Sequence, residues 1–151
     1  MDVASEKPVR MVTLTLQADR DYLALARTSA MHVGALLFLP LTQVHDLRLA
    51  VDEACSSFLQ ALRRSADGSA AGQAETMEIS YDRYPSALHV AVRARAPQGW
   101  PAHDELGWAL LGSLVGEVTV SVEDGVGTLT LIEPLPSAPS KEPAAPPPAS
   151  V

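Results

Sequence analysis

Hydrophobic and polar residues alternate from residue 9 to 17, with Val12, Leu14 and Leu16 on one side and Met11, Thr13, Thr15 and Gln17 on the other. A period of two predicts a strand buried on one face. From residue 20 the period lengthens. Leu23, Ala26, Ala30, Val33 and Leu37 recur at three- and four-residue steps, which predicts a helix over 20–37 with Asp19 as its cap and Pro40 closing it off. A second helix follows, capped by Thr42, with Val44, Leu47, Val51, Ala54, Phe58 and Leu62 as its apolar stripe.

Residues 65–74 are small and polar and predict a loop. Beyond it, 76–83 and 88–95 predict an antiparallel hairpin around Tyr84-Pro85-Ser86-Ala87, 104–115 a third helix, and 117–122 with 127–132 a second hairpin. The turn of that second hairpin is Glu123-Asp124-Gly125, where Gly125 can take a positive φ. The order β, α, α, β, β, α, β, β predicts an α/β (α+β) sandwich: a sheet of about five mostly antiparallel strands with three helices on one face.

Composition narrows the class. A chain of 151 residues with 47% hydrophobic and 19% charged residues can bury one sizeable core. The net charge of −7 argues against direct nucleic-acid binding, which needs a basic surface. One cysteine, Cys55, cannot form an intrachain disulfide, in keeping with a reducing, cytoplasmic setting. The longest apolar run, 33–39, ends at Pro40 and fits neither a signal peptide nor a membrane span. His32, His45, His89 and His103 lack ligand spacing, so no metal site is expected. Seven of the eighteen residues 134–151 are proline, which forbids helix and central strand alike. The organisation expected is a flexible N-terminus (1–8), one domain (9–135) and a disordered proline-rich tail (136–151).

Asp-Leu-Arg-Leu-Ala-Val-Asp-Glu at 46–53, continuing to Phe58 and Leu59, resembles the second helix of the RsbW and SpoIIAB anti-sigma factor kinases, and element order follows that family from about Leu14 to Leu135. The resemblance implies a GHKL, or Bergerat, ATPase-type fold and is strongest to actinobacterial members. In that family a Glu on this helix activates the attacking hydroxyl, and an Asn one turn later holds the magnesium of ATP. Here Glu53 stands at the first position and Ser57 at the second.

The other nucleotide motifs depart further. The adenine anchor Asp-x-Gly-x-Gly is matched by Ala94 and Ala96, or one residue away by Arg93 or Arg95, and none of these offers an acceptor. A lost charged hydrogen bond of this kind costs roughly 1.5–3 kcal/mol. At the phosphate loop Glu105 replaces the first glycine and Gly107 remains, so a carboxylate stands where phosphate oxygens would sit. Only eight residues, 97–104, are left for the lid. Gly127-Thr128 resembles the family's closing Gly-Thr pair and looks unaltered. Trp100 and Trp108 flank the shortened lid and are placed to fill an emptied pocket.

On this resemblance Glu53 is vestigial, the positions Ser57, Ala94, Ala96, Glu105, Gly107 and Thr128 form a degenerate site, and no cofactor is expected. The implied function is that of an anti-sigma factor, a pseudo-kinase that sequesters an alternative stress or developmental sigma factor and is released by a STAS-domain anti-anti-sigma partner. The alternative is an active serine/threonine kinase of that partner, using Mg-ATP in a variant site. The family's sigma-contacting arginine on the first helix corresponds to Arg27, with Arg20 and Asp19 as weaker candidates. Without the resemblance, Arg27 reads as a solvated arginine laid over the Leu23 and Ala30 edge. A homodimer through the sheet is also implied.

Overall fold

A computed structural model of the chain describes residues 7–65, 75–96, 100 and 105–136. The elements in chain order are β1 (Val9–Gln17), α1 (Leu23–Leu36), α2 (Leu41–Ser65), β2 (Thr76–Arg83), β3 (Ala87–Arg95), α3 (Glu105–Leu114), β4 (Glu117–Glu123) and β5 (Val126–Pro134), with a 3-10 turn over Arg20–Tyr22 before α1. The strands form one sheet in the order β1-β2-β3-β5-β4, and every neighbouring pair is antiparallel. This is the α+β arrangement that the periodicities predict. The expectations for the N-terminus before Lys7, the 66–74 loop, most of the lid and the tail from Ser137 onward lie outside the described residues.

Two helix boundaries differ from expectation, each for a local reason. Asp19 does cap, but its carboxylate accepts from the Asp21 backbone N–H at 2.9 Å and so starts the 3-10 turn; the α-helix proper begins at Leu23. Thr42 is not a cap, because α2 already begins at Leu41 and the Pro40 carbonyl accepts from the Val44 N–H. Pro40 cannot donate a helical hydrogen bond, which makes it a natural boundary. Between the helices Phe38 takes φ 55°, and the Leu39 N–H reaches back to the Gly34 carbonyl at 3.0 Å. That is the reversal a glycine usually supplies, and a side chain there costs roughly 1–2 kcal/mol.

The strand predictions hold closely, with β3 starting one residue earlier and β5 running to Pro134. Asp124 and Gly125 both have positive φ, 52° and 78°, the pairing a two-residue hairpin turn requires. On the helix side, Leu47, Val51, Ala54 and Phe58 of α2 are buried with Met77, Ile79 and Tyr81 of β2, Val90 and Val92 of β3, and Leu129 and Leu131 of β5. Thus α2 lies over the middle of the sheet, flanked by α1 on one side and α3 on the other. At the N-terminal end of α2, Gln43 donates to the buried Glu133 carboxylate and to the Pro134 carbonyl, both at 2.8 Å, which ties that end to β5. Among the described residues no helix is long and apolar enough to cross a membrane.

Candidate functional site

The expected site centres on the α3-facing flank of α2 and the sheet beneath it. Glu53 and Ser57, one turn apart on α2, are both half-buried. The Ser57 hydroxyl donates to the Ala54 carbonyl of its own helix at 2.7 Å. Ala94 ends the helix-facing row of β3, and its cross-strand partner on β5 is Gly127. The structure therefore pairs two of the positions that the sequence singles out, the β3 alanine and the β5 glycine.

Trp100 lies between α2 and β5 at this point. Its indole stacks on Phe58, the residue after Ser57, with ring centroids 4.4 Å apart and planes 19° from parallel. Its other edge rests on Gly127, where an added Cβ would lie 2.5 Å from Trp100 Cζ3 and 2.8 Å from Cε3. Glycine is what lets the ring approach this closely. The side chain is 7% exposed, and its Nε1–H is buried without a partner among the described residues. An unsatisfied donor costs about 1–3 kcal/mol, against burial of a large aromatic surface and a stacked contact worth about 0.5–1.5 kcal/mol beyond it. The sequence-level idea that Trp100 occupies a pocket thus acquires a floor and a ceiling; Trp108 on α3 is half-buried against the same core.

Other site positions lie apart. Thr128 is the residue after Gly127 on a strand, so its side chain falls on the opposite face of the sheet, in register with Arg93 and Ser121. Arg93 and Arg95, the one-residue alternatives for the adenine anchor, are ion-paired with Glu78 at 3.4 Å and Glu75 at 2.6 Å. Ala96 is half-buried, and its N–H donates to the Gly125 carbonyl. Gly107 lies in the first turn of α3; the Glu105 side chain lies outside the described residues. Among the described residues no group of His, Cys, Asp or Glu side chains could hold a metal ion.

The other flank of α2 carries the predicted partner surface. Arg27 Nη1 donates to Asp52 Oδ1 of α2 at 2.9 Å, and the two side chains are about one-third exposed (36% and 31%). The reading of Arg27 as a solvated arginine is thereby corrected: it spans the α1–α2 seam, and Nε and Nη2 make no hydrogen bond among the described residues. Nothing in the sequence signals this pair, because its members are 25 residues apart and on different helices. Arg20 and Asp19 are exposed in the 3-10 turn just before α1. Beneath this seam Tyr81 is fully buried, and its hydroxyl pairs with Ser29 Oγ at 2.7 Å. Cys55 is also buried, its thiol pushed up to about 12 by desolvation and secondarily by Asp52, which keeps it protonated and inert.

Comparison with known proteins places this architecture. No protein-family model matches the chain, and no curated protein matches it either. Among solved structures, the RsbU and RsbW domains of Rv1364c from Mycobacterium tuberculosis align with 82% of this chain and 32% of that one, at 17% identity and a TM-score of 0.60. The chain thus spans about a third of the length of that protein chain and shares the α+β fold of an RsbW-like domain.

Proposed function

We propose that the chain is an anti-sigma protein that works by partner switching: it holds an alternative sigma factor through protein contact, gives it up to a STAS-domain partner, and transfers no phosphoryl group. The observation that carries this reading is Trp100. The slot bounded by Phe58, Ala94 and Gly127, where the family resemblance locates adenine, holds the chain's own indole. Ala94 supplies no acceptor for an exocyclic amine, and the Ser57 hydroxyl is turned to its own helix. On this reading the residues present do not fit a nucleotide, and Glu53 is a remnant. The shared RsbW-like fold supports the protein-binding half of the proposal.

The first helix and the turn before it then form the sigma-binding surface. Held by Asp52, the Arg27 guanidinium loses less rotamer freedom on binding than a free arginine would, so more of its interaction with a partner appears as affinity. The face of the sheet away from the helices centres on one row of small side chains, Thr13, Ser80, Ala91, Thr130 and Thr119, which suits close approach of a second copy.

The test is capture of purified alternative sigma factors by the full chain. Arg27→Gln is preferable to Arg27→Glu, which would set a carboxylate beside Asp52. Capture by the native chain, weakened at least tenfold by Arg27→Gln while the melt changes little, is the expected outcome. Capture that is undiminished places the sigma contact elsewhere, and no capture of any sigma factor contradicts the function.

A further inference from the structure

Arg20 and Arg63 converge from different elements on one cavity. Together with Leu23, Ser56, Leu59 and Gln60 they line a depression of about 160 Å3 between the 3-10 turn, the start of α1 and the last third of α2. Ser56, Gln60 and Arg63 lie one turn apart in succession on a single face of α2. Arg20, Leu59 and Arg63 also border a wider groove of about 710 Å3 that opens toward Gln17, Tyr22 and Glu75.

Among the described residues, no polar side chain of the smaller cavity has a hydrogen-bond or ion-pair partner. Arg10, Arg27, Arg93 and Arg95 form ion pairs; among the described residues Arg20, Arg48, Arg63 and Arg83 form none, and of these four Arg20 and Arg63 line one cavity together, both exposed to solvent. The Ser56 hydroxyl and the Gln60 amide make no hydrogen bond there either. Shortage of acids is not the reason, since the chain has 18 acidic against 11 basic residues. Asp19 and Asp21 border only the wider groove, and the Asp19 carboxylate is engaged with the Asp21 N–H. Two like charges facing one cavity, with two further donors beside them, are complementary to an oxyanion.

The apolar pair narrows the choice. Leu23 and Leu59 offer a surface for a methylene stem, which a free inorganic anion does not have. We propose that this cavity is the docking point for an acidic side chain, aspartate or glutamate, presented by a protein partner, with Arg20 and Arg63 as its clamp and Ser56 and Gln60 as auxiliary donors. The identity of the partner rests on the function proposed above; the anion preference rests on the cavity alone.

The experiment uses the full chain and follows the arginine Nε–Hε signals by 15N NMR at constant ionic strength, with a tetraglutamate peptide and inorganic phosphate as separate probes. The peptide is expected to move the Arg20 and Arg63 signals along one saturable curve while Arg10 and Arg83 stay still. Arg63→Gln and Arg20→Gln should each weaken the response at least tenfold, and Arg83→Gln should leave it unchanged. Equal movement of all exposed arginines, no movement, or phosphate binding as tightly as the peptide would overturn the assignment. Because the peptide assay contains no sigma factor, its failure beside intact sigma capture removes this inference alone, and the reverse pattern removes the function alone.

Discussion

The two flanks of α2 are built from the same helix and finished in opposite ways. On the flank facing α3, Trp100 is clamped between Phe58 and Gly127, the Ser57 hydroxyl is turned inward, and the space is filled by hydrocarbon. On the flank facing α1, Arg27 pairs with Asp52 at the seam, and Arg20, Ser56, Gln60 and Arg63 line an open cavity, their polar groups without partners among the described residues. A surface that keeps solvent-exposed charge available is suited to a partner, whereas a slot packed around a buried indole is suited to stability. On the proposed function, the difference separates the binding flank from the flank where the family resemblance places nucleotide chemistry.

Emptying the packed flank should have the largest effect. Trp100→Ala removes a buried aromatic and leaves a hole under Phe58, so a loss of about 3–5 kcal/mol is expected, a fall in Tm on the order of 10 °C. Added indole should restore part of it, as apolar cavities take up matching apolar ligands. A melt within 2 °C of the native protein, roughly the shift of a sub-kcal/mol change, would mean that the indole is not a structural plug. Gly127→Ala attacks the same contact from below, since its methyl would lie 2.5 Å from the ring. The expected cost is about 1–3 kcal/mol, with a change in tryptophan fluorescence; an unchanged spectrum and melt would show that the ring yields freely.

How much of this was legible depended on range. Strand and helix periods reported burial directly, and Val44, Leu47, Val51, Ala54, Phe58 and Leu62 all proved buried, because a repeating pattern on one element needs no partner to be read. The Asp124-Gly125 turn was legible for the same local reason. The Arg27–Asp52 pair and the convergence of Arg20 with Arg63 depend on how separate elements cross, which no local spacing encodes. The site was half legible. Ala94 and Gly127 meet as the family pattern implies, yet Thr128, judged by the same pattern, faces away, because adjacent strand residues point to opposite sides.

Alkaline pH probes the interior that both flanks share. In the unfolded chain the Cys55 thiol titrates near its ordinary value, about 8.5, while in the folded protein burial has pushed it up to about 12. Its contribution to stability is therefore complete below the unfolded value and lost progressively as pH rises toward the folded one. Tyr81, raised chiefly by burial and lowered in part by the Ser29 bond, acts in the same direction at still higher pH. Melts between pH 8.5 and 11 should show a declining Tm whose slope is shallower in Cys55→Ala; identical slopes would show that the thiol is reached by solvent before unfolding.

The open flank should tolerate change best. Asp52→Asn removes a partly exposed ion pair and should cost about 0.2–1 kcal/mol, visible as a small shift in chemical denaturation. A loss several times larger would make the Arg27 bridge a structural fastener rather than a positioned contact.

Calorimetric titration of the native full chain with MgATP tests the contrast between the flanks most directly. With Trp100 in the slot and no acceptor at Ala94, the expected result is dilution heat alone up to millimolar nucleotide and an unchanged Tm, since a ligand that does not bind adds nothing to folding stability. A saturable one-to-one isotherm in the micromolar range, with a rise in Tm that inorganic phosphate does not reproduce, would contradict it and return the chain to the kinases.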